Sequence, residues 1–167
     1  MNKALFLDRD GVVNEDRGYV FRKEDCVFVE GIFDMCRVAQ QKGYLIIIVT
    51  NQSGIERGYY TVGEYEAFTA YLRETFAGQG IVIDDVFHCP FAGDHEDRKP
   101  NPGMFLKAQA KHTIDMSTSW MIGDNERDIL AATRAGVGHT ALLDPSDTAK
   151  TPAEHRISRL IQMTEWL

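Results

Sequence analysis

The sequence predicts an α/β fold with a mostly parallel sheet flanked by helices. Three observations carry that prediction: short apolar runs alternate with longer amphipathic stretches, the clearest run lacks polar alternation, and unusual polar residues recur just after the runs. Parallel sheets are covered on both faces, so their strands read as unbroken apolar runs, and their ligands bind beyond the strands' carboxyl ends.

The elements follow in order. Ala4 to Leu7 reads as a buried strand ending at an acidic turn. Gly31 to Lys42 reads as a helix with Ile32, Met35, Cys36 and Ala39 on one face, and Gly43 suits the position after its end. Leu45 to Val49 is the clearest strand, β-branched through its centre. Thr61, with Glu64 three residues on, forms a capping box that opens a helix through Phe76. Asp85 to His88, Ser119 to Ile122 and Thr140 to Leu143 are further strands. Pro102 and Gly103 precede a helix to about His112, and Asn125 starts another that ends at Gly136. Beyond Asp147 a short polar segment leads to a helix around Ile157 to Leu167. No repeat or linker interrupts the order, so residues 1–167 read as one domain.

Bulk properties narrow the partners. A composition 44% hydrophobic and 26% charged is that of a globular chain, and a formal net charge of −7 argues against a nucleic-acid backbone as ligand. No stretch approaches the roughly 20 apolar residues of a membrane span, and the apolar run before Asp8 is too short for a signal-peptide core. Cys26, Cys36 and Cys89 are odd in number and without repeated spacing, which fits a reducing compartment. The expectation is a cytoplasmic monomer with neither nucleic acid nor membrane as partner.

The polar residues after the strands decide the chemistry. Asp8 and Asp10 follow the first strand with Gly11 behind them, Thr50 and Asn51 follow the second, Arg98 and Lys99 lie in the loop after the third, and Asp124 follows the fourth. Paired carboxylates at the end of a buried strand need a compensating cation. Oxygen ligands select a hard one, and magnesium takes one or two carboxylates beside waters and a phosphate. Thr50 and Lys99 suit non-bridging phosphate oxygens, and Gly11 lets backbone amides approach them. Each piece has a bland explanation: a solvated turn, a strand end, a surface cation, an N-cap. One phosphate site accounts for all of them together.

Asp8-Arg9-Asp10-Gly11-Val12-Val13-Asn14, Thr50, Lys99 and Gly123-Asp124 through Asp128 resemble the four ordered motifs of the haloacid dehalogenase (HAD) superfamily. The resemblance implies the Rossmann-like HAD fold. Within the superfamily the chain resembles the D-glycero-D-manno-heptose 1,7-bisphosphate 7-phosphatases and the neighbouring histidinol-phosphatases. Asp16-Arg17-Gly18-Tyr19-Val20, Val49-Thr50-Asn51-Gln52-Ser53-Gly54-Ile55 with Arg57-Gly58-Tyr59-Tyr60-Thr61, and Arg98-Lys99-Pro100 with Pro102-Gly103-Met104 match most specifically. The glycine-tyrosine flap and the Thr-Asn-Gln-Ser-Gly-Ile run resemble the heptose branch more than the histidinol branch. The resemblance implies magnesium-dependent removal of phosphate from a small sugar phosphate, with Asp8 as nucleophile and Asp10 as general acid and base. It places magnesium on Asp8, the Asp10 backbone carbonyl and Asp124, and puts Thr50 and Lys99 on the phosphoryl oxygens. Asp16, Arg17, Gly18, Tyr19, Asn51, Gln52, Ser53 and Arg98 would contact the rest of the substrate. Arg9, Arg17, Arg57, Arg98 and Lys99 would then gather positive charge in an acidic chain.

Two departures stand out. The family often carries a structural zinc before Arg98, but only Cys89 matches its ligands here, with Phe91 and Asp97 where a histidine and a cysteine are expected. His88, Cys89 and His95 are an incomplete set for tetrahedral zinc, so none is expected. Asn125 stands where the heptose phosphatases commonly carry a lysine after the metal aspartate, which leaves the exact substrate open. No large cap insertion is visible, so histidinol phosphate or another small phosphomonoester remains the alternative. A receiver-type phospho-accepting module is disfavoured, because it carries its acceptor aspartate on a middle strand, where this chain has Thr50.

Overall fold

The computed structural model describes residues 1–167. Six parallel strands lie in the order β3-β2-β1-β4-β5-β6: β1 (Lys3–Leu7), β2 (Tyr44–Asn51), β3 (Asp85–Cys89), β4 (Trp120–Gly123), β5 (His139–Leu143) and β6 (His155–Ile157). Four helices connect them: α1 (Ile32–Gln41), α2 (Val62–Gly78), α3 (Gly103–His112) and α4 (Glu126–Arg134). The expected α/β class is the one observed, and no large cap covers the sheet's carboxyl edge.

Alternation along the buried strands divides the core in two. Leu5, Leu7, Ile46 and Ile48 face α1 and α2, meeting Met35, Cys36 and Ala39 from one helix and Phe68, Leu72 and Phe76 from the other. Ala4, Phe6, Ile47 and Val49 face α3 and α4, meeting Met104, Phe105, Ala108, Ala131 and Ala132. Each fully buried isoleucine on β2 is worth about 1.5–3 kcal/mol of transfer free energy, which is why this strand reads so clearly. The Thr61 box closes as expected: Glu64 N donates to the Thr61 hydroxyl over 3.1 Å, and Thr61 N to the Glu64 carboxylate over 3.0 Å.

The tail differs from expectation. His155–Ile157 forms a sixth strand on the open edge of β5, and the expected terminal helix is a 3-10 segment, Leu160–Glu165. A three-residue edge strand is too short to show a period. The apolar pair in the tail, Leu160 and Met163, is spaced by three, which a 3-10 helix eclipses on one face, and both join the α1 side of the core.

Asp144, just past β5, closes the turn that leads to β6. Its carboxylate accepts from Ser146 Oγ (2.6 Å), Thr148 N (2.9 Å) and Ala149 N (2.8 Å), and the Ser146 bond foremost pulls its pKa down to about 2. A carboxyl depressed in the fold stabilises it fully above the unfolded pKa and loses that contribution as pH falls through the folded one. Asp144→Asn should therefore lower Tm at neutral pH, and the gap to wild type should close as pH falls from about 4 towards about 2. A gap indifferent to pH would exclude the carboxylate as its source.

Candidate active site

The strand order reverses at β1, between β2 and β4, and a crevice opens there beyond the carboxyl ends. Leu7 pairs with Ile48 on one side and Ile122 on the other, so Asp8 emerges level with the end of β4 at Gly123 and beside the last residues of β2, which runs on to Asn51. The crevice encloses about 330 Å³, and only Tyr19 and Tyr60 among its fourteen lining residues are hydrophobic.

Lys99 sits at its floor, fully buried. Its ammonium lies 2.8 Å from Asp8 Oδ1 and 2.7 Å from Asp128 Oδ1, and donates to Val49 O over 2.8 Å. Its hydrogen bonds go to Asp8 and Val49 O, while Asp128 Oδ1 faces the ammonium as an ion pair and accepts no hydrogen bond. Asn51 fixes the Lys99 backbone from both ends of its amide: Nδ2 donates to Lys99 O (3.1 Å) and Oδ1 accepts from Lys99 N (3.0 Å). Asp128, wholly buried, also accepts from Asn125 N over 3.1 Å, while Asn125 caps α4 in return.

Carboxylate oxygens of Asp8, Asp124 and Asp128 lie within 4.8 Å of one another. That approach depends on glycine: a Cβ on Gly11, at φ +94°, would stand 2.0 Å from Asp124 Oδ2, and one on Gly123 would stand 2.3 Å from Asp128 Cβ. Burial, reinforced by Asp128 and Asp124, pushes the Asp8 carboxyl well above its usual range against the pull of Lys99. Burial likewise raises Asp124, with Asp128 adding and an Asp8 hydrogen bond opposing. For Lys99, burial works against the charge, but Asp128 and Asp8 outweigh it and raise the pKa. Three carboxylates against one ammonium leave an excess of negative charge on oxygen donors alone. Such a set fits magnesium, which would relieve the repulsion.

Asp10 is held apart from this trio. Arg9 Nη2 donates to Oδ1 (3.0 Å) and Oδ2 (3.2 Å), Asn14 Nδ2 to Oδ1 (3.0 Å), and Gln52 Nε2 to Oδ2 (3.1 Å). Gln52 also donates to Thr50 Oγ1 over 2.8 Å, and its Oε1 accepts the Tyr60 hydroxyl, which sets the orientation of the amide. Burial raises the Tyr60 pKa to about 12, so it stays a donor.

The structure redistributes several sequence expectations. Asp8, Asp10, Asp16, Gly18, Tyr19, Asn51, Gln52, Ser53, Arg98, Lys99 and Asp124 all line the crevice. Thr50 lies behind them, 1% exposed. Arg17 does not join: its guanidinium pairs with Glu15 over 3.0 Å at the surface. Arg9 is 1% exposed and spends its charge on Asp10 and Val20 O, so of the five expected cations only Arg98 and Lys99 line the site. The Asp128 carboxylate, which was not expected as a ligand, joins those of Asp8 and Asp124, whereas Asp10 was expected to offer its backbone carbonyl and its carboxylate stays with Arg9, Asn14 and Gln52. Asp128, Tyr60, Asn125 and Arg127 were not singled out as site residues from sequence. The Asn125–Asp128 capping box was a legible signal for the first of them. His88 and His95 serve separate contacts, with Tyr65 (4.2 Å) and Phe91 (4.5 Å), while Cys89 ends β3 in the core.

Comparison with known proteins agrees with this geometry. The HAD-hydrolase-like family model matches residues 97–159. The D-glycero-alpha-D-manno-heptose-1,7-bisphosphate 7-phosphatase of Burkholderia mallei is 45% identical over 158 residues, covering 89% of this chain and 84% of that protein. The D-glycero-beta-D-manno-heptose-1,7-bisphosphate 7-phosphatase of Helicobacter pylori is 46% identical over 154 residues, covering 90% and 88%. Among solved structures, the D,D-heptose 1,7-bisphosphate phosphatase of B. bronchiseptica, complexed with magnesium and phosphate, superposes with a TM-score of 0.86 at 26% identity, over 98% of this chain and 96% of that one. HAD phosphatases use magnesium, and the crevice has the oxygen donors to hold it. With near-complete coverage at such identity, the chain belongs to the HAD-superfamily family of D-glycero-D-manno-heptose-1,7-bisphosphate 7-phosphatases.

Proposed function

We propose that this enzyme removes the 7-phosphate of D-glycero-D-manno-heptose 1,7-bisphosphate through an aspartyl-phosphate on Asp8. The observation that carries the reading is Asp8 itself: a carboxylate at the end of β1, ion-paired to buried Lys99, at the floor of a polar crevice. Magnesium held by Asp8, the Asp10 backbone carbonyl and Asp124, with Asp128 beside them, would screen the repulsion between the nucleophile and an incoming phosphate dianion.

An Asp8 oxygen attacks phosphorus, and the P–O bond to the sugar breaks. Asp10 gives the leaving sugar oxygen its proton. Lys99 balances charge on the phosphoryl oxygens, where it accumulates in the transition state, and Thr50 lies beside the same group. Asp10, now a carboxylate, takes a proton from the water that attacks the acyl-phosphate. Phosphate leaves and Asp8 is regenerated. Asp16, Gly18, Tyr19, Ser53 and Arg98 form the rim around the sugar, and Asn51 and Gln52 act mainly by fixing Lys99 and Asp10. Asp10→Asn should lower kcat by roughly 10²–10⁴-fold for a sugar phosphate. The loss should be smaller for an aryl phosphate, whose leaving group needs no proton; equal losses on both would remove Asp10 as the acid.

We further assign the enzyme to the cytoplasm, a reading supported by its three free cysteines. The direct test of substrate is phosphate release, with and without magnesium, from both anomers of heptose 1,7-bisphosphate, fructose 1,6-bisphosphate, histidinol phosphate and an aryl phosphate. A large preference in kcat/KM for one heptose anomer supports the assignment and names the anomer. Indiscriminate magnesium-dependent turnover would keep the chemistry and remove the heptose.

A further inference from the structure

Two loops wall the crevice on one side: residues 16–21, after β1, and residues 52–60, after β2. Two aromatic pairs fasten them together. Tyr19 meets Tyr59 edge-on with ring centroids 4.6 Å apart, and Phe21 stacks on Tyr60 at 5.0 Å and 16°. Gly54 makes the approach possible, since a Cβ there would stand 2.2 Å from Tyr60 Cε1 and 2.9 Å from Tyr19 Cδ1. The outer pair is exposed, whereas Tyr60 is buried.

The stack explains the Tyr60 ring but not its hydroxyl, because phenylalanine would fill the same place. The hydroxyl's one partner is Gln52 Oε1. Gln52 is buried too, and its amide is fully committed. Nε2 spends its two hydrogens on Asp10 Oδ2 (3.1 Å) and Thr50 Oγ1 (2.8 Å), and Oε1 takes the phenol. Without the phenol, Oε1 would be a buried acceptor with no partner. Turning or tilting the amide relieves that, and either movement withdraws the donor from Asp10. The first loop grips Asp10 by a second route: Arg9 Nη2 donates to Val20 O over 2.7 Å and to Asp10 Oδ1 over 3.0 Å.

We propose that Tyr60 is a positioning residue for the general acid: through Gln52, its hydroxyl aims the Asp10 carboxyl at the leaving oxygen. This rests on the role given to Asp10 above. The loop after β2 then serves proton transfer as well as walling the crevice.

The test is kcat/KM in magnesium for the sugar phosphate that wild type turns over best and for an aryl phosphate, whose leaving group needs no proton. Tyr60→Phe, which keeps the stack, is introduced into wild type and into Asp10→Asn. In wild type it should lower kcat/KM about 10-fold on the sugar phosphate, the scale of one lost hydrogen bond, and leave the aryl phosphate within about twofold. Unchanged aryl phosphate turnover also reports that the variant is folded. In Asp10→Asn, with no acid left to aim, the same change should cost about twofold at most. Gln52→Met, which breaks the chain of bonds in its middle, should show the same selectivity. Equal losses on both substrates, or no loss on either, would overturn the inference. A sugar-phosphate loss that persists undiminished in Asp10→Asn would overturn it too, by making the phenol a sugar contact. If Asp10→Asn by itself loses equally on both substrates, the acid role falls, and this inference with it.

Discussion

Asp8→Asn should abolish turnover, by about 10⁴-fold or more, and leave the protein folded. The amide keeps the shape of the carboxylate but cannot attack phosphorus as an anion does. The stability effect has an unusual sign for an active-site change. Burial and two neighbouring carboxylates hold the Asp8 pKa well above its ordinary range, so the charge is unfavourable in the metal-free fold. A carboxyl raised in this way supports the fold at low pH and works against it as pH rises through the folded pKa. Removing the charge at neutral pH should therefore leave the metal-free Tm equal to wild type or above it. Lys99 keeps Asp128 as its partner. Added magnesium should raise the wild-type Tm by mass action, and the rise should shrink in the variant. Turnover within tenfold of wild type would remove Asp8 as nucleophile, and a full magnesium response would remove it as a ligand.

Lys99→Met should do the opposite to stability. Lys99 and Asp128 each have side chains only 1% exposed, and the ammonium is the one cation paired with both Asp8 and Asp128. Breaking a buried ion pair from one side leaves uncompensated charge and costs about 3–5 kcal/mol. The variant should unfold earlier in urea at neutral pH and recover part of the difference on acidification, because protonating Asp8, whose pKa burial raises, removes part of the unpaired charge. Turnover should also collapse, since the phosphoryl oxygens lose their counter-charge. Unchanged stability with lost activity would mean that the carboxylates protonate or rearrange at no cost, and that the ion pair does not hold the floor of the site together. Comparing the two variants separates chemistry from architecture: both should lose turnover, and only one should lose stability.

The features legible in the sequence are those whose cause is local. Ile46 to Val49 announce a strand covered on both faces, because a buried parallel strand has no polar side to show. The Thr61–Glu64 box marks a helix start through bonds spanning three residues. The sixth strand escaped notice because His155–Ile157 is held by pairing with β5, which no pattern of three residues can reveal. Asp8, Asp10, Thr50 and Asp124 stood out because polar groups at the ends of buried strands have no packing explanation, and Lys99 through the motif in the loop after the third strand.

Partnership belongs to the tertiary structure. Lys99 reaches Asp8 across 91 residues of chain, and the decision that it also holds Asp128 depends on β1, β2 and β4 lying side by side. Arg9 and Arg17 looked like substrate cations when counted along the chain. In space one is consumed by Asp10 and the other by Glu15. Asn51 and Gln52 are polar residues in a matching motif, yet each spends its amide on a residue that does the chemistry. The sequence by itself determined the first five strands and the polar groups at hand beyond them, since periodicity and residue type are carried locally, and the resemblance of its motifs implied the reaction class. The fold alone decided which charges are neutralised in place, as Arg9 is by Asp10, and which line the crevice, because charges cancel by distance in space and not by separation along the chain.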